Sequence, residues 1–394
     1  MPERADGWRL QGHPERLPAW LELHAGALWM PSVARRVIRA FPDPGAALAS
    51  GMGAGPAGLR APGEAGAGVT GGPARGRGED LVRRCREIGA TVVTAFDGAY
   101  PRRLLRLAQA HENVGPPVLL YVRGALPDTP CVAIVGARRA DAYGLRMARQ
   151  LARDLAGAGV CVVSGLARGV DAAAHRGALE AGGFTVAVLG AGMDRTYPPE
   201  HEGLAAAVAE QGAVLSEFPL GFRPRKETFP LRNRVIAALA SAVVVVEAGE
   251  RSGSLVTARH ALELGVAVGA VPGDVDRALS RGSNALLADG AATVTGSEDV
   301  IRMLDERDRE RLGERPRSAG GAGAGAEEPP ALRGLADPSA TAVYRAVTSR
   351  PQSVDVLAER TGLTVPAALV ALSRLELAGL VERTEAGYAR SPWE

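Results

Sequence analysis

The sequence predicts an α/β fold built on a mostly parallel, doubly wound sheet, with a small helical module before it and a winged helix after it. Three observations carry this expectation. Short β-branched runs alternate with helical patterns from Leu81 to about Arg307. Those runs are apolar at nearly every position, as strands are when both faces are covered. Glycine-rich turns follow several of them, and the loops after the strands are where such sheets gather their binding groups.

Residues 1–50 form the helical module, a small fold of the SAM type. Its apolar positions are Trp20, Leu21, Leu23, Val33, Val37, Ile38, Phe41 and Leu48. So short a segment buries too little surface to stand alone and must lean on a larger body. In residues 51–79, 14 of 29 positions are Gly or Pro, a composition that cannot repay its ordering entropy and reads as a linker. The core spans residues 80–307. Strands are expected over residues 91–95, 118–122, 132–135, 160–164, 185–189, 213–216, 243–247, 266–271 and 293–295, with helices over 142–156, 170–181, 230–239 and 254–264 between them. A second linker, residues 308–336, contains the run SAGGAGAGAEEPP. Residues 337–394 hold three helices, over 340–348, 354–361 and 366–377, then a hairpin turning at Ala386-Gly387. That order reads as a winged helix-turn-helix.

Composition narrows the function. Of 394 residues, 46% are hydrophobic and 23% charged, as in ordinary globular proteins. The first ten residues, MPERADGWRL, do not resemble a signal peptide. The longest uncharged apolar run, AALASAVVVV, is about half a membrane span. A cytoplasmic protein with no membrane partner is expected. Cys85, Cys131 and Cys161 are an odd number with no CxxC spacing, so free thiols are expected. The six histidines form no metal-ligand pattern, and no metal is expected. Among 46 basic residues the one lysine, Lys226, lies in Arg-Lys-Glu. A Walker A loop ends in Gly-Lys-Ser/Thr, so P-loop ATP hydrolysis is excluded.

The turns after four strands read Gly136-Ala137-Arg138-Arg139, GLARGVD (165–171), Gly190-Ala191-Gly192 and AGERSGS (248–254). Glycines let backbone amides approach an anion, and Arg138, Arg139, Arg168 and Arg251 sit in or beside these turns. The blander reading is that the glycines only make tight turns. No turn reads GxGxxG with the acidic residue that a dinucleotide site requires, so no NAD or other cofactor is expected. Segment 221–234, GFRPRKETFPLRNR, carries Arg223, Arg225, Lys226, Arg232 and Arg234 around Phe229. Cations interleaved with a ring suit a single nucleic-acid strand, the charges following phosphates and the ring meeting a base. The same residues also fit a solvated face around a core phenylalanine. Asp171 is expected to serve the start of the helix at Val170, with His175 one turn on as a structural partner. Asp194 and Glu217 stand at strand ends, where a hydrolase would carry acids, but no nucleophile and base can be assembled around them.

Taken in order, the motifs YPRRLLRL, PPVLLYVRG, VAIVGARR, VVSGLARGVDAAAHRGAL, VLGAGMDRTYPPEH, SEFPLG, FPLRNR, VVVEAGERSGSLVTARHAL and VPGDVDRALSRGSNALLADGA resemble the DNA processing protein A (DprA/Smf) family over about half the chain. The resemblance implies an extended Rossmann-like core that binds single-stranded DNA, protects incoming strands in natural transformation and recombination, and loads RecA recombinase. It implies a homodimer and no enzymatic activity. Carried onto this sequence, Arg138, Arg168 and Lys226 would neutralise phosphates and Phe229 would meet a base. Arg139 flanks the first turn, while Arg232, Asn233 and Arg234 complete the FPLRNR match. Ser164, Gly165, Ser252, Gly253 and Ser254 would offer hydroxyl and backbone donors.

Two departures matter. AGALWMP stands near Trp20 where a DNA-binding helix-hairpin-helix would carry its glycine hairpin. Residues 331–394 carry seven Arg and seven Asp/Glu, and the would-be recognition helix has only Arg374 as a cation. This domain therefore reads as a weak DNA contact or a protein-interaction module, since duplex binding needs several cations. The competing function is a Rossmann-like nucleotide hydrolase or phosphoribohydrolase of the lysine-decarboxylase-like type, supported by the Ser252–Ser254 turn and Glu263. A transcriptional regulator built on the winged helix is a third.

Overall fold

The computed structural model describes residues 9–50, 77–110, 115–126, 128–313, 337–347, 352–384 and 387–390. They form two compact units that divide near residue 316.

The first unit is organised by one sheet with the strand order β1-β2-β6-β5-β4-β3-β7-β8-β9. The strands are β1 (Thr91–Thr94), β2 (Leu119–Gly124), β3 (Cys131–Val135), β4 (Cys161–Ser164), β5 (Thr185–Leu189), β6 (Ala213–Ser216), β7 (Ala242–Val245), β8 (Ala267–Ala270) and β9 (Ala292–Thr293). From β6 through β9 every neighbour is parallel, whereas β1 and β2 pair antiparallel at one edge. The chain winds outward from β3 in both directions, through β4 to β6 and then through β7 to β9. Strand order reverses between β3 and β7, whose register pairs Val135 with Val245.

Helices cover both faces. They are α1 (Leu17–Leu23), α2 (Pro31–Ala40), α3 (Pro44–Ala49), α4 (Gly78–Glu87), α5 (Ala142–Gly157), α6 (Val170–Glu180), α7 (Glu202–Gln211), α8 (Thr228–Leu239), α9 (Ser254–Glu263), α10 (Arg281–Ala288), α11 (Ser297–Met303) and α12 (Glu306–Gly313). Asp141 caps α5 by accepting from the Gly144 N–H at 2.9 Å. The Val-rich strands need such cover. Val132, Ile134 and Val162 pack under α5 and α6, while Val163, Val186 and Val243 pack under α8 and α9 on the opposite face.

The N-terminal module does lean on the core. Trp20 and Leu21 are fully buried, in one apolar cluster with Leu119, Tyr121 and Leu189 of the sheet. Both linker boundaries are corrected. Residues 51–76 lie outside the described residues, but α4 starts at Gly78, inside the segment read as linker. Glu79 and Asp80 in its first turn favour a helix start, and Leu81, Val82 and Cys85 are buried. At the other end residues 308–313 are helical. Asp308 is buried and takes both carboxylate oxygens to Arg103 at 2.5 and 2.6 Å, and Arg311 pairs with Asp128 at 2.5 Å. The low-complexity run that starts at Ser318 drew the expected linker boundary ahead of these charged anchors.

The second unit is a winged helix. Helices α13 (Pro338–Ala346), α14 (Val354–Thr361) and α15 (Val365–Leu377) precede the antiparallel pair β10 (Val381–Thr384) and β11 (Gly387–Arg390). Gly362, at φ +70°, ends α14 in the left-handed region, and α15 leaves at 105° to it, the turn of a helix-turn-helix. Val343, Leu357, Leu372, Leu375 and Tyr388 form its core. Of the expected turn at Ala386-Gly387, residue 386 lies outside the described residues and Gly387 opens β11. No single described helix is long and apolar enough to cross a membrane.

Candidate nucleic-acid interface

Ligands of doubly wound sheets bind beyond the carboxyl ends of the strands, where the strand order reverses. Here that point lies between the turn after β3 and the turn after β7, and a cleft of about 460 Å³ opens there. Its walls are Gly136–Arg139 from the first turn, Gly249 and Arg251–Ser254 from the second, and Lys226, Phe229, Pro230 and Asn233 from the start of α8.

Arg138, Arg139, Lys226 and Arg251 are exposed around this cleft, so four cations border it. Phe229 lies half-buried among them. Its ring rests on Gly190, where an added Cβ would come within 2.9 Å of the ring, so glycine is needed for the ring to sit there. The Arg138 guanidinium lies 4.9 Å from the ring centroid. Thr228, at the root of α8, donates to the Gly190 carbonyl at 2.7 Å and ties this segment to the turn after β5. Beside Phe229, at a centroid distance of 5.5 Å, stands the exposed Tyr197. Sequence reasoning did not single out Tyr197. An aromatic followed by two prolines between β5 and α7 was the available signal.

The second turn supplies polar backbone. Gly253 is exposed, α9 starts at Ser254 without a side-chain cap, and Ser252 and Ser254 share a hydroxyl contact at 2.8 Å. The Ser254 amide meets Ser252 Oγ at 3.4 Å and the Leu255 and Val256 amides turn back to the Ser252 and Gly253 carbonyls, so what this end offers an anion is the exposed Gly253 and the positive end of the helix. Asn233 donates to the Gly253 carbonyl at 3.2 Å and so fastens α8 to this turn.

Several expected contact residues belong to the floor instead. Ser164 is fully buried and donates its hydroxyl to the Ile134 carbonyl at 2.7 Å. The Gly165 N–H donates to Asp171 at 3.0 Å, and its carbonyl accepts from Arg232 at 2.7 Å. Arg232 is buried, donates also to the Val188 carbonyl, and is pulled down to about 10 by burial, with Asp171 opposing. It stays charged at neutral pH. Arg234 is fully buried against Glu217. Arginine-rich sequence here encodes internal ties as well as surface charge, and composition cannot separate the two.

Arg168 is exposed but pairs with Glu200 at 2.5 Å, outside the cleft walls. Its loop nevertheless packs on the first turn. Gly169, at φ +76°, lies so close that a Cβ there would meet the Ala137 carbonyl oxygen at 2.2 Å. Arg168 therefore extends the cationic rim from a neighbouring loop, with a carboxylate beside it.

The acids are structural. Asp171 collects the Gly165 and Ala167 amides, and burial raises its pKa, with Arg232 opposing. The expected hydrogen bond from Asp171 to His175 is replaced, because His175 Nδ1 meets Thr185 Oγ1 at 2.7 Å instead. Burial holds His175 neutral, with its pKa down to about 3. Asp194 pairs with Arg84 at 2.7 Å and accepts from the Gly221 amide. Glu263, the acid of the hydrolase reading, sits 3.3 Å from His260 at the far end of α9, outside the cleft. Among the described residues no cluster of His, Cys, Asp and Glu could hold a metal. In the winged helix Arg374, the one cation of α15, pairs with Asp337 at 2.5 Å. Val365, Leu369 and Val370 are exposed on the same helix.

Fold and cleft together define a Rossmann-like protein that presents cations, a ring and a glycine-rich helix start at its topological switch point. Residues 91–305 match the model of DNA recombination-mediator protein A, and residues 326–387 match that of the DprA winged helix domain. The chain belongs to the DNA recombination-mediator protein A family. It is 40% identical over 302 residues to Protein Smf of Escherichia coli, covering 76% of this chain and 77% of that protein. It is 41% identical over 212 residues to DNA processing protein DprA of Streptococcus pneumoniae, covering 53% and 73%. The X-ray structure of DNA processing protein A from Streptococcus pneumoniae superposes with a TM-score of 0.52 at 36% identity, over 57% of this chain and 78% of that one.

Proposed function

We propose that the cleft binds single-stranded DNA without turning it over, and that the protein acts as a cytoplasmic, homodimeric mediator that passes bound strands to RecA recombinase. The observation that carries this reading is the convergence of Arg138, Arg139, Lys226 and Arg251 on one cleft that also holds Phe229. A strand needs both elements, because cations alone track phosphates while a ring accepts any base. The geometry supports one order of work. The exposed cations draw the backbone in, the turn at Gly253 lets a phosphate approach the start of α9, and a base settles at Phe229 and Tyr197. Arg232 and Arg234 hold the floor and keep α8 in place.

The hydrolase reading loses its acid, since Glu263 is outside the cleft. A duplex-reading winged helix loses its cation, since Arg374 is committed to Asp337. Binding of a fluorescent oligothymidine across a salt series tests the proposal. Affinity falls steeply with salt if phosphates carry the binding; a flat response contradicts it.

A further inference from the structure

We propose that Cys131 and Cys161 form a peroxide-sensitive dithiol that closes to a disulfide across β3 and β4. The two cysteines are register partners on neighbouring parallel strands, so their side chains leave the same face of the sheet side by side. Neighbouring strands lie about 4.8 Å apart, inside the Cα span of about 4.4–6.8 Å that a disulfide bridges. Both thiols are free; the Cys131 thiol donates to the Thr129 carbonyl at 3.4 Å and the Cys161 thiol points to the Val162 carbonyl at 3.9 Å.

Access is provided at one of the two. A second cavity, of about 1010 Å³, opens at the amino ends of the strands, opposite the cationic cleft. Cys131 lines it together with Arg103, Arg106 and Arg311 and with Asp128, Asp305 and Asp308, two of which pair with Arg311 and Arg103, while Cys161 is fully buried behind it. A half-buried thiol facing arginines is the kind that ionises and reacts, and a buried one beside it is placed to resolve the product. The neighbouring Cys161 thiol lowers the Cys131 pKa, with Arg103 and Arg311 adding to the effect and burial and Asp308 opposing it. Burial and the neighbouring Cys131 raise that of Cys161. Cys85 is the internal contrast, buried away from this cavity and pushed up to about 11 by burial.

The chemistry needs only hydrogen peroxide as oxidant. The Cys131 thiolate attacks one peroxide oxygen, the O–O bond breaks, and hydroxide leaves and takes up a proton as water. The Cys131 sulfenic acid no longer carries the charge that repels a thiolate at Cys161. Cys161 sulfur then attacks the sulfenic sulfur, the S–S bond forms, and the hydroxyl leaves as water with the Cys161 proton. Two thiols and one peroxide give one disulfide and two waters. Paired strands hold their residues slightly closer than the roughly 5.5–6 Å a relaxed disulfide prefers, so the bond is of the readily reduced, regulatory kind.

The test treats the full chain with one molar equivalent of hydrogen peroxide, blocks remaining thiols, and maps tryptic peptides without reductant. The expected product joins peptides 124–138 and 154–168, two hydrogens lighter than their sum, and separates again with dithiothreitol. In Cys161→Ser the link is lost and dimedone captures a sulfenic acid at Cys131. Recovery of both cysteines as free thiols, of sulfinic Cys131 with no link, or of a bond to Cys85 overturns the proposal. The wild-type map decides the question even where the variant does not fold.

Discussion

The guanidinium of Arg138 lies over the ring of Phe229, 4.9 Å from its centroid. Cation and ring therefore cover each other in the free protein. In the proposed binding, a base that reaches Phe229 would displace Arg138 from the ring, and the displaced guanidinium would be free to meet the adjoining phosphate. Two residues from distant parts of the sequence thus act as one contact.

Arg138→Ala is expected to weaken single-strand binding about tenfold or more, because hydrogen bonds to charged groups contribute about 1.5–3 kcal/mol. The slope of log affinity against log salt should shrink by about 0.7, the share of one phosphate on a single strand. Anisotropy titrations at several salt concentrations measure both. A weaker affinity with an unchanged slope would mean that Arg138 acts through the ring and not through phosphate.

Phe229→Ala should cost about 1–3 kcal/mol of binding, with little change in salt slope. Phe229→Tyr should retain most of the affinity, since the π-face survives. Equal losses in both variants would point to a packing role on Gly190 instead of stacking.

Arg234→Met leaves the Glu217 carboxylate buried without its partner, and breaking such a pair costs about 3–5 kcal/mol. Replacing both, as Arg234→Met with Glu217→Leu, should recover most of that loss. Denaturant unfolding of the three chains compares them. If Arg234 were instead a DNA contact, the single variant would keep its stability and lose affinity.

Acid should destabilise the fold through two buried histidines. Burial takes both His24 and His175 from 6.5 down to about 3. Between those values the unfolded chain holds a proton that the folded one lacks. Their contribution is complete above pH 6.5 and is lost as pH falls towards 3, at about 1.4 kcal/mol per pH unit for each. His175→Asn, which can still donate to Thr185, should roughly halve that slope in unfolding measured between pH 4 and 6.

Most strands were legible because the buried parallel strands are written in valine; all nine described strands of the large sheet overlap the expected runs, the exposed Ala292–Thr293 pair by one residue. Their spatial order was not, because nothing in a run of valines says that β3 neighbours β7. The cleft depends on that adjacency, which joins the turns at Arg138 and Gly253. Arg138, Lys226 and Phe229 could be picked out as cations and a ring in glycine-rich turns. Arg232 and Arg234 looked the same in sequence and differ only by facing Gly165 and Glu217 inside the fold. Tyr197 escaped notice because its partner Phe229 is far away in the chain.

The most direct measurement is a mobility-shift competition between single-stranded and duplex DNA of equal length, for the wild-type chain and for Arg138→Ala with Lys226→Ala. The wild type should bind the single strand far more tightly than the duplex, and the double variant should lose that binding while unfolding at an unchanged denaturant midpoint. Equal affinity for both forms, or full single-strand binding by the double variant, would contradict a strand-binding cleft at the switch point.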